Sequence, residues 1–185
     1  MPSRQEQLLD AAIAVLGSQG SRQLTHRAVD AAAGVPAGSA SNYFKTREAL
    51  VNAMIVRFAE RERAAWEGLA GMITPQSPQE LSAVLAAYVR RAVGADRVMT
   101  IARYSVFIEA ALRPEAREQL TESAREIRRW GADWLRSIGA PNPGLACELL
   151  LDAVDGLILH HLAYPDLAGD LEARLEAMVR GNLGA

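Results

Sequence analysis

The sequence predicts an all-α protein. Apolar residues recur at three- and four-residue spacing along nearly the whole chain, and no stretch sustains the period-two alternation of a strand. Ser, Thr, Gly and Pro stand at the borders of these periodic runs, where caps and breakers belong. With 185 residues, half of them apolar, the chain can bury a sizeable core without covalent staples. Its single cysteine, Cys147, excludes an intramolecular disulfide and a cysteine-based zinc site, and its apolar neighbours mark it as a small buried hydrophobe, not a sensor thiol. No apolar run reaches the roughly eighteen residues that span a bilayer. The N-terminal MPSRQEQLLDAA carries charges where a signal peptide would be apolar, so a cytoplasmic protein is expected, with no membrane partner.

Each element has its own signal. Ser3 and Glu6 form a capping box for a first helix, which carries Leu9, Ala12, Ile13 and Leu16 on one face and ends near Gly17. Thr25 caps a second helix in which Ala28, Val29 and Ala32 face inward, and Gly34 permits the left-handed backbone of a tight turn. Pro36 opens a third helix bracketed by the core anchors Val35 and Phe44. Thr46 caps a long fourth helix with a stripe of Leu50, Met54, Phe58, Trp66 and Leu69, running to about residue 71. The Thr-Pro-Gln-Ser-Pro segment at 74–78 is the clearest boundary. Ser77, Pro78 and Glu80 then start a helix that Gly94 ends. Residues 97–112 are apolar nearly all round, as in a helix buried within a bundle. Pro114 opens an amphipathic helix that continues to about Gly139, Pro141 to Gly144 form a loop, and helices near 145–163 and 166–181 close the chain.

The stretch from Thr25 to Arg47 points to function. Two short helices joined at Gly34, the second with Ala37, Gly38, Ser39, Ser41 and Asn42 along a small polar side, make a helix-turn-helix. Tyr43, Lys45 and Arg47 flank that side where phosphates would run. From local pattern alone, an ordinary helical hairpin packed into a core is the rival. Net charge is −2, unhelpful for a nucleic-acid binder, yet residues 1–47 hold five basic groups against three acidic ones (Glu6, Asp10, Asp30), a local +2 that leaves −4 elsewhere.

The run LTHRAVDAAAGVPAGSASNYFKTREAL combines helix, turn, small polar helix, Tyr-Phe and cap in an order and spacing that resembles the DNA-binding domain of the TetR/AcrR family of bacterial regulators. That resemblance implies about nine helices: a three-helix reading domain at 1–47, a connecting helix at 48–71, and a helical bundle for ligand binding and dimerisation at 72–185. It implies that Thr25 and Arg27 meet phosphate at a helix N-terminus, that Tyr43 and Arg47 contact the DNA backbone, and that Ser39, Ser41 and Asn42 face bases. Ala37 stands where a basic or polar residue is common, and Ala40 replaces a larger apolar one. The implied partners are double-stranded DNA bearing a palindromic operator, a small apolar effector and a second copy of the chain. Repression is the expected mode.

In the second half, Met99, Arg103, Tyr104, Phe107, Trp130 and Trp134 suit an apolar effector pocket, with Arg103 or Glu109 orienting the ligand, or else a plain core. Leu150, Val154 and Leu157 of the eighth helix, with Leu171, Leu175 and Met178 of the ninth, suit a dimer interface, or else packing within one chain. An enzyme using Glu148, Asp152, Asp155, His160 and His161 is the weakest alternative. Adjacent histidines point apart, and no Gly-rich phosphate loop, nucleophile motif or metal spacing is present, so neither cofactor nor metal is expected. A helical adaptor without DNA binding also fits the composition, but leaves the polar third helix unexplained.

Overall fold

The computed structural model describes residues 2–167 and 169–183, and within its seventh helix all side chains but those at 115, 116 and 119. The described residues form nine α-helices: α1 Arg4–Gln19, α2 His26–Ala33, α3 Ser39–Tyr43, α4 Arg47–Met72, α5 Pro78–Val93, α6 Arg97–Ala111, α7 Pro114–Ser137, α8 Pro143–Ala163 and α9 Leu171–Leu183. Single 3-10 turns occupy Ser21–Gln23 and Pro165–Leu167. Among the described residues no helix is long and apolar enough to cross a membrane. The helices pack into two compact units that cut across chain order: residues up to Ala65 with Arg97–Ala124, and Trp66–Asp96 with residues from Arg125 onward. Sequence segmentation assigned everything after residue 71 to one domain; α6 and the first half of α7 belong by packing to the first unit.

In the first unit the capping box is in place: the Glu6 N–H donates to Ser3 Oγ at 3.2 Å, and the Ser3 N–H to Glu6 Oε2 at 2.7 Å. α1 runs two residues beyond Gly17, because that glycine is a contact, not a stop. A Cβ at position 17 would lie 2.0 Å from the Val98 carbonyl oxygen, so only a hydrogen admits the backbone of α6 so closely. Leu8, Ile13 and Leu16 of α1 share a core with Leu50, Met54 and Ile55 of α4 and with Ala102 and Val106 of α6. α6 buries the stripe Ala102, Val106 and Ala110, together with Thr100 on another side. Val98, Ile108 and Leu112 are exposed, contrary to its all-round apolar sequence.

Charge ties α1 to α4. Arg57 grips Asp10 with two hydrogen bonds, Nε to Oδ1 at 2.9 Å and Nη2 to Oδ2 at 3.1 Å, and reaches Glu6 Oε1 at 3.1 Å. Arg61 adds a bond to Asp10 at 3.1 Å. Partial burial raises the Asp10 carboxyl, but its bonds to Arg57 and the charges of Arg61 and Arg57 outweigh burial and leave it lowered.

In the second unit Ser77 caps α5 as expected, while the Glu80 carboxylate accepts from the Gln76 N–H at 2.8 Å, one residue upstream of a true capping box. Asn142 caps α8 at Pro143, so half of the anticipated loop is helix start. α9 begins at Leu171, not near 166, behind the Asp170 carboxylate, which accepts from the Ala173 N–H at 3.0 Å. α8 and α9 both pack on α5. The core holds Leu81, Trp134, Leu135, Ala146, Cys147, Leu150 and Val179. Gly131 makes room for the Cys147 sulfur, which a Cβ would approach to 2.6 Å. Burial pushes that thiol up to about 11.

Candidate nucleic-acid interface

The Thr25 side chain accepts from the Ala28 N–H at 3.2 Å and starts α2. Gly34 ends it in the left-handed region, φ 64° and ψ 37°, with its N–H donating to Ala31 O at 3.2 Å and the Val35 N–H to Asp30 O at 3.0 Å. These two bonds are a Schellman motif. Pro36 then opens a turn instead of a helix: the Ser39 N–H donates back to Pro36 O at 3.1 Å, and Gly38 sits at φ 91°. α3 begins only at Ser39, which places Ala37 and Gly38 ahead of it. Ala32, expected inside, is exposed; Val29 is buried, and Ala28 and Ala33 pack beside it.

α3 is seated by Ala40 and Phe44, both buried, and turns its other side outward. Ser41, Asn42, Lys45 and Arg47 are exposed, as are Thr25 and Arg27 behind them, and Tyr43 is 49% exposed. Ser39 is half-buried. Its hydroxyl donates to Pro36 O at 2.6 Å, and that of Ser41 to Gly38 O at 2.8 Å, so both serines keep only acceptor lone pairs for another molecule. The Asn42 amide makes no hydrogen bond among the described residues, so its donor and acceptor are both unspent, as are those of the Tyr43 hydroxyl. Arg47 donates through Nη2 to Ser21 O at 2.9 Å, anchoring the turn before α2 while its other N–H groups face out. His26 is half-buried, and its Nε2 is enclosed with no hydrogen-bond partner among the described residues.

Sequence reasoning counted Asp30 only as one acid among three. It is 3% exposed, and its carboxylate accepts from the Gly38 N–H at 2.8 Å and the Ala40 N–H at 2.7 Å. The available signal was indirect: α3 has glycine where a capping Ser, Thr, Asp or Asn belongs, so a cap had to come from elsewhere.

The anticipated pocket residues divide between the units. Met99, Arg103, Tyr104 and Phe107 lie on α6 in the first; Trp130 and Trp134 lie on α7 in the second. Arg103 donates from Nε to Glu62 Oε1 at 2.6 Å, both side chains mostly buried, and its guanidinium stands 4.8 Å from the Phe107 ring centre. Glu109 pairs with Arg113 at 3.0 Å. Tyr104 and Phe107 meet edge to face. Trp134 is core. Of the anticipated interface residues, Leu150, Val154, Leu157, Leu171 and Leu175 are buried inside a single chain, and Met178 is half-buried. They hold α8 and α9 in place within the chain. The His160 ring meets the Tyr164 ring at a tilt, with centroids 5.1 Å apart, and His161 Nδ1 lies 2.8 Å from Leu157 O. No group of three His, Cys, Asp or Glu side chains among the described residues is placed to hold a metal ion.

A buried-cap turn presenting a short polar helix beside exposed cations defines a helix-turn-helix regulator. Residues 8–54 match the family described as bacterial regulatory proteins, tetR family, and residues 76–185 match the tetracyclin repressor-like C-terminal domain. The chain belongs to the TetR family: it is a ligand-responsive DNA-binding transcriptional regulator, not an enzyme. Similar solved structures include a transcriptional regulator from Rhodococcus sp. Rha1, 22% identical over 98% of this chain and 97% of that one, with a TM-score of 0.77. They include the multidrug binding protein EbrR complexed with ethidium, 29% identical over 97% and 98%, TM-score 0.68. The fatty acid degradation regulator FadR from Bacillus halodurans is 18% identical over 100% and 97%, TM-score 0.71. No curated protein matches this sequence closely enough to count as a relative.

Proposed function

We propose that the protein is a homodimeric repressor that holds a palindromic operator in the bacterial cytoplasm and releases it when a small apolar effector binds. The observation that carries the DNA-reading part is the outward side of α3, with Asn42 unspent and Tyr43, Lys45 and Arg47 beside it. Asn42 reads a base, with Ser39 and Ser41 accepting from base amino groups. Tyr43, Lys45, Arg47, Thr25 and Arg27 meet phosphate. Having only Ala37 and Gly38 ahead of α3, the head draws much of its grip from the backbone of the duplex.

The dimer rests on the outer faces of α8 and α9. Leu145, Leu149 and Leu159 are each about half exposed and follow a four-then-three spacing with Asp152 and Gly156, which is a seam for a second helix. Ala173, Ala177 and Gly181 of α9 are exposed at four-residue spacing and allow close approach. Two copies pairing these helices make a four-helix bundle. The effector reading is supported by EbrR, solved with ethidium, and by the half-buried rings of Tyr104 and Phe107 in the first unit.

Selection of bound fragments from random-sequence duplex DNA tests the proposal: an inverted repeat is expected. On that fragment Asn42→Ala should relax preference at one base pair per half-site, a cost of about 1–3 kcal/mol. Tyr43→Phe should weaken binding to all duplexes alike. Equal losses on selected and random DNA for both variants would reject these roles.

A further inference from the structure

α3 has no means of starting itself. Five residues are too few for a helix to persist alone, its N-cap is Gly38 with no side chain, and the N–H groups of a first turn have no partner within the helix. Asp30, on α2, supplies the missing acceptors to Gly38 and Ala40 from below. The same residue's backbone carbonyl accepts from the Val35 N–H on the other side of the turn. One residue thus closes the end of α2 and the start of α3. A carboxylate so buried is unfavourable unless paired, and two charge-assisted bonds to backbone N–H groups offset that cost only while α3 keeps its place against α2.

We infer that Asp30 is the positioning residue of the reading head: it sets α3 in its DNA-reading orientation before any duplex arrives, so sequence discrimination depends on a side chain that touches no DNA. The inference rests on the DNA-reading assignment above. A second consequence follows from the same bonds. With the Gly38 and Ala40 N–H groups spent on Asp30, the start of α3 offers little to a phosphate, and anion contact falls to Thr25 at the mouth of α2 and to the Tyr43 to Arg47 side.

The test uses the full chain with Asp30→Ala and the milder Asp30→Asn, whose amide oxygen can still accept one bond. Amide exchange is followed together with affinity for the duplex selected by the native protein and for a random-sequence duplex. For Asp30→Ala, protection at Gly38 and Ala40 should fall about tenfold or more while the amides of Leu50 to Ile55 keep theirs. The ratio of selected to random affinity should fall about tenfold, with Asp30→Asn between it and the native protein. If Asp30→Ala does not fold, the Asp30→Asn result decides alone. An unchanged affinity ratio, or a loss of protection shared by α4 and matched by equal losses on both duplexes, would overturn the inference. Failure of the native protein to select any duplex is a different result and would reject the regulator assignment beneath it.

Discussion

The two units use their side chains in opposite ways. In the first, polar groups are spent inward: Asp30 on the turn, Arg57 and Arg61 on Asp10, Arg103 on Glu62, Arg47 on the Ser21 carbonyl. In the second, a largely apolar core holds α5, α8 and α9, while leucines of α8 and small residues of α9 stay in solvent. A head that reads DNA must hold a short helix in one orientation, so its bonds close within the chain. A tail that recruits a second copy must leave apolar surface open.

The largest effect expected from breaking this contrast comes from the open side. Leu149→Arg should convert the proposed dimer to a monomer and lower affinity for the selected duplex by about a hundredfold or more, since two heads no longer bind as one. Because Leu149 is exposed, denaturant unfolding of the isolated protomer should barely change. A stable dimer in this variant would remove the seam from the account.

Next is Gly17→Ala, on the closed side. The added methyl meets a carbonyl oxygen at 2.0 Å and forces α1 and α6 apart, costing about 1–3 kcal/mol in denaturant titration, although alanine is otherwise the better helix former. Unchanged or raised stability would show that the backbones have slack there.

Smaller again is Arg57→Ala, at about 1–2 kcal/mol, because the pair with Asp10 is only half-buried. pH sharpens it. Asp10 is lowered in the folded chain, so it contributes stability that is complete above its unfolded value of about 4 and is lost as pH falls through the lower folded value. The melting temperature should therefore drop between about pH 5 and pH 2, and drop less in Arg57→Ala. Parallel pH profiles would contradict the assignment of this dependence to the Asp10 cluster.

Much of the first unit was legible because caps are local. Ser3, Thr25 and Thr46 each announce a helix within three residues of the bond they make, as Ser77 does in the second unit, and Gly34 announces its turn. Asp30 was not, since its partners lie eight and ten residues away across a turn whose geometry no periodicity encodes. Arg57 and Asp10 are further apart still. On α8 the difficulty is different: Glu148, Asp152 and Asp155 mark a polar side, but leucines crowd its borders, so the sequence does not show where the outer face stops. Leu149 and Leu150 are chemically alike, and only packing against α5 and α9 decides that Leu150 is core and Leu149 is surface.

Sedimentation of the protein, free and on its selected duplex, bears on the division of labour most directly. Two chains free at micromolar concentration, and two or a multiple of two on the duplex, are the predicted result. A single chain in both states would contradict the account, because a lone reading head then suffices and the open faces of α8 and α9 have no partner to meet.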